Sequence, residues 1–131
     1  MNTKINEENI KKAINQKLSC LNQVNKIFEE YDFLALPSAQ VYPFDKKLQY
    51  PEYINGEKLD TYHRWLEVFI LSSLLELPTI TVPVGFNKNG LPMGMQIIGK
   101  NKDDLKLFSF ASKYEDIFNF SKIKPKLNYL R

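Results

Sequence analysis

This sequence predicts an α/β fold, a mixed β-sheet of about three strands covered by about three helices. Apolar residues recur three or four apart over residues 7–31, 60–75 and 102–116, as on helix faces. Short β-prone runs lie between these segments, at residues 33–36, 79–82 and 93–98. Pro, Gly and Asn punctuate the connections.

The first helix spans about residues 7–31. Ile10, Ile14, Leu18, Leu21, Val24, Phe28 and Tyr31 share a face, and Lys11, Lys12, Asn15, Asn22 and Glu29 lie mostly off it. Such a stripe needs a partner surface, because packing supplies most of a helix's stability. Its lysines are too diluted by Glu and Asn for a membrane-surface helix. Asp32 to Leu36 follow with almost no linker. This continuous apolar run fits a strand buried on both faces, and Pro37 ends it. Periodicity disappears over residues 39–59, where Pro43, Pro51, Asn55 and Gly56 punctuate a stretch holding Tyr42, Phe44, Tyr50 and Tyr53. Two readings stand for it: a loop pinned by aromatic residues over the sheet, and a wall of a substrate cleft.

A second helix runs from residue 60 or 61 to 75, with Asp60 as its cap. Tyr62, Trp65, Leu66, Phe69, Ile70 and Ser73 trace one face, while Val68, Leu71 and Leu74 make the other side apolar. That pattern predicts burial nearly all round. Leu77-Pro78 stops the helix. The stretch from Leu77 to Gly99 organises the chain. Its two apolar runs flank Asn87-Lys88-Asn89-Gly90, which supplies the φ > 0 positions a reversing chain needs. The third helix covers about residues 102–116, capped by Asn101 or Asp103. Leu105, Phe108, Ala111, Ser112 and Glu115 share one side, and Leu107, Phe110 and Tyr114 add bulk on the neighbouring side. Residues 117–131 read as an extended or flexible tail.

With 131 residues, this is one domain or part of one. The net charge of +3 is a property of the tail: Lys122, Lys124, Lys126 and Arg131 are uncompensated, and the remaining 14 basic residues meet 15 acidic ones. That argues against a basic face for nucleic acid. Cys20 is the one cysteine, so no intrachain disulfide forms. No apolar run reaches membrane-spanning length, and the expected location is cytoplasmic.

The order of short motifs says more. Glu30-Tyr31-Asp32-Phe33-Leu34-Ala35-Leu36-Pro37-Ser38, the strand ending Val82-Pro83-Val84-Gly85-Phe86, and Gly90-Leu91-Pro92-Met93-Gly94-Met95-Gln96-Ile97-Ile98-Gly99 stand in sequence. Together they resemble the C-terminal part of the amidase signature family. The phrases from Pro37 to Asp45 and from Asp60 to Trp65 are similar to those of a bacterial amidase subgroup. Where the family commonly ends the second helix with Gly-Leu-Pro, this chain has Glu76-Leu77-Pro78.

The resemblance implies a C-terminal fragment of the amidase signature fold. Enzymes of that family break non-peptide C–N amide bonds, with neither metal nor organic cofactor. A nucleophilic Ser, a bridging Ser on a cis peptide bond and an unprotonated Lys do the work, and backbone N–H groups hold the oxyanion. The two Ser and the Lys lie upstream of the region that this chain resembles; the Gly/Ser-rich segment that carries both serines, with its Gly-Gly-Ser-Ser-Gly-Gly run, is not in the chain, none of whose five glycines is adjacent to another. No catalytic residue carries over. Locally, Ser72-Ser73 sits mid-helix among large apolar residues, and Cys20 and His63 come without a third orienting group. With a single His, a His-based metal site is not expected.

The resemblance therefore gives an amidase fragment that is inactive alone, whose partner is an upstream amidase half. The alternative is a non-catalytic interaction module built on the same fold. Whether the chain is an enzyme by itself stays open. Neither a cofactor nor a nucleic-acid or membrane partner is expected, and a homo-oligomer is consistent with exposed strand edges. Gln40, Tyr42, Asp45, Tyr62, His63, Arg64 and Trp65 are the candidates for a substrate-cleft wall, because they mix aromatic and polar groups beside apolar positions.

Overall fold

Asn6 starts the first helix: its side-chain oxygen accepts from the Asn9 backbone N–H at 2.8 Å, and Glu7 and Glu8 suit the helix dipole. The computed structural model describes residues 5–124. Helix α1 (Glu7–Glu30) leads directly into strand β1 (Phe33–Pro37). A two-stranded hairpin, β2 (Tyr53–Ile54) and β3 (Glu57–Lys58), precedes a 3₁₀ helix (Tyr62–Phe69) that passes into α2 (Ile70–Leu75). Strands β4 (Thr79–Phe86) and β5 (Pro92–Gly99) follow, then α3 (Asp104–Phe118) and a 3₁₀ turn (Phe120–Lys122).

The main sheet has the order β1-β5-β4, and both pairings are antiparallel. The parallel component of a mixed sheet is not among the described residues. Gly90 (φ 76°) turns the β4–β5 hairpin, and the Asn87 side chain accepts from the Asn89 and Leu91 N–H groups. Successive residues of the central strand face opposite ways. Ile98 packs with Val24, Phe28, Leu75 and Leu77 on the α1/α2 side. Ile97 packs with Val82 and Leu107 on the α3 side, where the Phe33 and Phe110 ring centroids are 4.9 Å apart. Each fully buried side chain of this size contributes about 1.5–3 kcal/mol, so Ile97 and Ile98 fasten helices to both faces.

Helix α2 stops at Glu76, which takes the left-handed conformation (φ 55°, ψ 40°) and donates its N–H to the Ser72 and Ser73 carbonyls. The non-Gly residue therefore occupies a position glycine would hold without strain. Lys17 bonds its carboxylate, holding it below its ordinary value and tying α1 to this corner.

Several expectations are corrected. Of the α1 stripe only Leu21, Val24 and Phe28 are packed into the core; Ile10, Ile14, Leu18 and Tyr31 are exposed. No residue of β1 is fully buried, because it stands at a sheet edge. The Asn55-Gly56 turn (φ 52° and 83°) builds a hairpin inside the stretch read as irregular. Asp60 is not a cap: Thr61 holds that position without a side-chain bond, and the Asp60 carboxylate binds Arg64. The second helix is not buried all round, with Ile70 and Leu74 half exposed. In α3 the packed side is Leu107, Phe110, Ala111 and Tyr114, whereas Leu105 is 85% exposed and Phe108 64%. Ile117 and Phe118 belong to α3, so the segment read as tail begins in helix; Lys126 and Arg131 lie outside the described residues.

Candidate functional site

The seven cleft candidates come from the segment after β1 and from the 3₁₀ helix. Gln96, in the centre of β5, holds these two regions together. Its side chain is 1% exposed, and its Nε2 donates to the Pro37 carbonyl at 3.0 Å and the Val68 carbonyl at 2.9 Å. One buried amide thus fixes the end of β1 against the end of the 3₁₀ helix. Nearby, the Gln40 Nε2 donates to the Arg64 carbonyl at 2.6 Å.

Around this joint lie two hollows. The larger, about 490 Å³, is walled by Gln40, Asp60, Arg64, Glu67 and the β2–β3 hairpin. The Arg64 guanidinium donates from Nε to Asp60 (2.9 Å) and from Nη1 to Glu67 (2.7 Å). Those two hydrogen bonds push its pKa further up, and the same pairing with Arg64 pulls the Asp60 carboxyl below its ordinary value. Arg64 therefore stays a cation, and its bonds to Asp60 and Glu67 brace the 3₁₀ helix. The smaller hollow, about 190 Å³, has Tyr42, Phe44, Trp65, Ser38 and Met93 among its walls. Its character is aromatic: the Phe44 and Trp65 rings meet edge to face at 5.8 Å. The Tyr62 ring stands between Tyr50, His63 and Trp65.

Six of the seven candidates are thus brought together. Gln40 and Arg64 share the polar hollow, Tyr42 and Trp65 share the aromatic one, and Tyr62 packs beside Trp65 with His63 against Tyr62. Asp45 stands apart. Its carboxylate accepts the Lys47 N–H at 2.9 Å and shapes its own turn, and it lines neither hollow. Sequence reasoning missed Glu67 and Gln96. The spacing of three from Arg64 was a readable signal for Glu67. Gln96 gave no signal beyond a polar residue in an apolar strand.

Neither local substitute for a nucleophile is assembled. Ser72 is buried in α2, its hydroxyl donating to the Phe69 carbonyl at 3.3 Å. Cys20 packs beside Val24 and Phe28, whereas His63 meets the Tyr62 ring edge to face. Among the described residues, no group of three His, Cys, Asp or Glu side chains converges to hold a metal ion, and no helix is long and apolar enough to cross a membrane.

A family model described as Amidase matches residues 1–108. The A-type subunit of glutamyl-tRNA(Gln) amidotransferase from Thermodesulfovibrio yellowstonii is 35% identical over 120 residues, which is 89% of this chain and 23% of that protein. Its counterpart from Lactococcus lactis subsp. cremoris is 30% identical over 119 residues, covering 91% and 23%. Among solved structures, a bacterial aryl acylamidase of the amidase signature enzymes superposes with a TM-score of 0.78 at 26% identity, covering 92% of this chain and 25% of the other. The chain therefore spans about a quarter of the length of these relatives.

Proposed function

Because the chain belongs to the amidase family, we propose that its residues are the C-terminal part of an amidase signature enzyme. They supply sheet strands, covering helices and a wall of the substrate cleft; the nucleophile, the bridging Ser and the Lys come from the preceding part of the fold. The observation that carries this reading is the superposition of 92% of the chain on 25% of an aryl acylamidase. The reaction of the complete enzyme is attack of a serine on an amide carbonyl, release of the amine, and hydrolysis of the acyl-enzyme. The Lys that starts it must lie well below its ordinary value of about 10.4, which a dry site achieves by desolvation.

In this reading the two hollows face the reacting groups. Trp65, Tyr42 and Phe44 offer an apolar wall to a flat or hydrocarbon acyl group, and Gln40 with the Arg64 cluster frames its polar end. An aryl acylamide is the class of substrate to try first, given the structural relative. The test mixes the purified chain with the aryl acylamidase from which the matched quarter has been removed, and follows release of the aryl amine. Activity is expected in the mixture and in neither part alone. Turnover by the 131-residue chain alone, abolished by Ser72→Ala or Ser73→Ala, overturns the reading.

A further inference from the structure

Ser38 follows the last residue of β1 and is held against β5 in two ways. Its N–H donates to the Gly94 carbonyl at 2.9 Å. Its side chain lies over Gly94, where a Cβ would stand 2.6 Å from the Ser38 Oγ. The side chain that Gly94 lacks is therefore the room the hydroxyl occupies. That hydroxyl has no hydrogen-bond partner among the described residues, and its oxygen is not buried. Ser38 and Gly94 both line the smaller hollow.

Of that wall, Ser38 and Tyr42 carry the only side-chain oxygens; the other side chains are hydrocarbon, aromatic or thioether. The indole N–H of Trp65, in the same wall, is buried without a partner among the described residues. A buried indole N–H usually has one. Shape points to the rest of the ligand. The Phe44 and Trp65 rings meet at an interplanar angle of 89°, which makes a square corner for a flat ring. A hollow of about 190 Å³ has room for one such ring; an apolar cavity of about 150 Å³ takes benzene. A bare hydrocarbon ring placed there drives water off the Ser38 hydroxyl and gives it nothing in return. A ring carrying an oxygen restores the lost bond.

Resting on the reading of this hollow as part of the substrate cleft, we infer that it binds one aromatic ring bearing an oxygen substituent, and that the Ser38 hydroxyl reads the oxygen. Ser38 is then a specificity-determining residue, set in place by Gly94.

Trp65 is the one tryptophan of the chain, so its emission reports on this hollow. The full chain is titrated with phenol and with toluene, rings of similar size with and without the oxygen, and Trp65 is excited at a wavelength neither probe absorbs. Ser38→Ala is expected to weaken phenol about fivefold, the worth of one net hydrogen bond, and to leave toluene as tight or tighter. Toluene binding in the variant shows that the hollow is still formed. Ser38→Cys, whose thiol is a weak donor, falls between the two. A phenol-to-toluene ratio that Ser38→Ala leaves unchanged overturns the inference, and the cleft reading stands. So does a ratio that falls in Tyr42→Phe and not in Ser38→Ala. If neither probe gives a saturable response, the ring site and the cleft wall are both overturned. Ser38-dependent phenol binding by a chain that yields no activity when mixed with the truncated aryl acylamidase supports the inference and overturns the proposed function.

Discussion

Replacing Gln96 by Leu removes the donor that serves two carbonyls at once, those of Pro37 and Val68. A buried carbonyl left without a partner costs about 1–3 kcal/mol, so the gross loss is about 2–6 kcal/mol. Some is recovered. The Gln96 side-chain oxygen is buried with no hydrogen-bond partner among the described residues, and its removal returns about 1–3 kcal/mol. The net destabilisation expected for Gln96→Leu is about 1–3 kcal/mol. Urea unfolding at low micromolar protein, followed by circular dichroism, reads this as a midpoint lowered by about 1 M for a slope of about 2 kcal/mol/M. Gln96→Glu sharpens the test. A carboxylate facing two carbonyl oxygens in a dry site is held protonated, so its folded pKa lies above the unfolded one. Its stability is therefore greatest below the unfolded value and falls as pH rises through the folded value. An unchanged urea midpoint in Gln96→Leu, or a Gln96→Glu protein as stable at neutral as at acid pH, refutes the claim that this amide joins β1 to the 3₁₀ helix.

Glu76→Gly relieves a left-handed non-Gly residue and raises the thermal midpoint by a few degrees, whereas Glu76→Ala keeps the strain and loses the Lys17 contact, so its midpoint falls. Gly94→Ala brings a methyl to 2.6 Å from the Ser38 hydroxyl and 3.2 Å from Thr81 Cγ2; it costs about 1–3 kcal/mol, and Ser38→Gly recovers part of that in the double variant. The Asp60 carboxyl, lowered by its bond to Arg64, titrates in the folded chain below its ordinary value of 3.8. Its contribution is complete above that value and fades as pH falls through the lowered one, which carboxyl NMR checks against an Arg64→Gln control. At higher concentration the isolated chain self-associates through Leu105, Phe108 and Ile117, apolar side chains that α3 leaves largely exposed; sedimentation showing a monomer at all concentrations contradicts this.

Much of the fold was legible because the relevant residues carry local signals. Helix α1, the Asn87 to Gly90 reversal and the Leu77-Pro78 stop stand where their chemistry places them. What failed depended on neighbours. Tyr62, Trp65, Leu66 and Phe69 suit either helix type, and the competition of Arg64 for Asp60 removed the expected cap. The α3 side that packs was set by Phe33, Ile80 and Met95 across the sheet, so Leu105 and Phe108 face outward despite their periodicity. Asn55-Gly56 was a readable hairpin signal hidden in a stretch without apolar alternation. In the site, the Tyr62–Trp65 cluster was visible as composition, but Asp45 turned inward to its own loop through the Lys47 N–H. Gln96 escaped notice because its function is to satisfy carbonyls 59 and 28 positions away in sequence.

The most direct measurement of the central claim is a chimera. The matched quarter of the bacterial aryl acylamidase is replaced by this chain in one polypeptide, and aryl acylamide hydrolysis is assayed beside a thermal melt. The account predicts a cooperatively folded chimera that releases the aryl amine, with Trp65→Ala raising KM. A chimera that melts cooperatively yet hydrolyses no faster than this chain alone contradicts it.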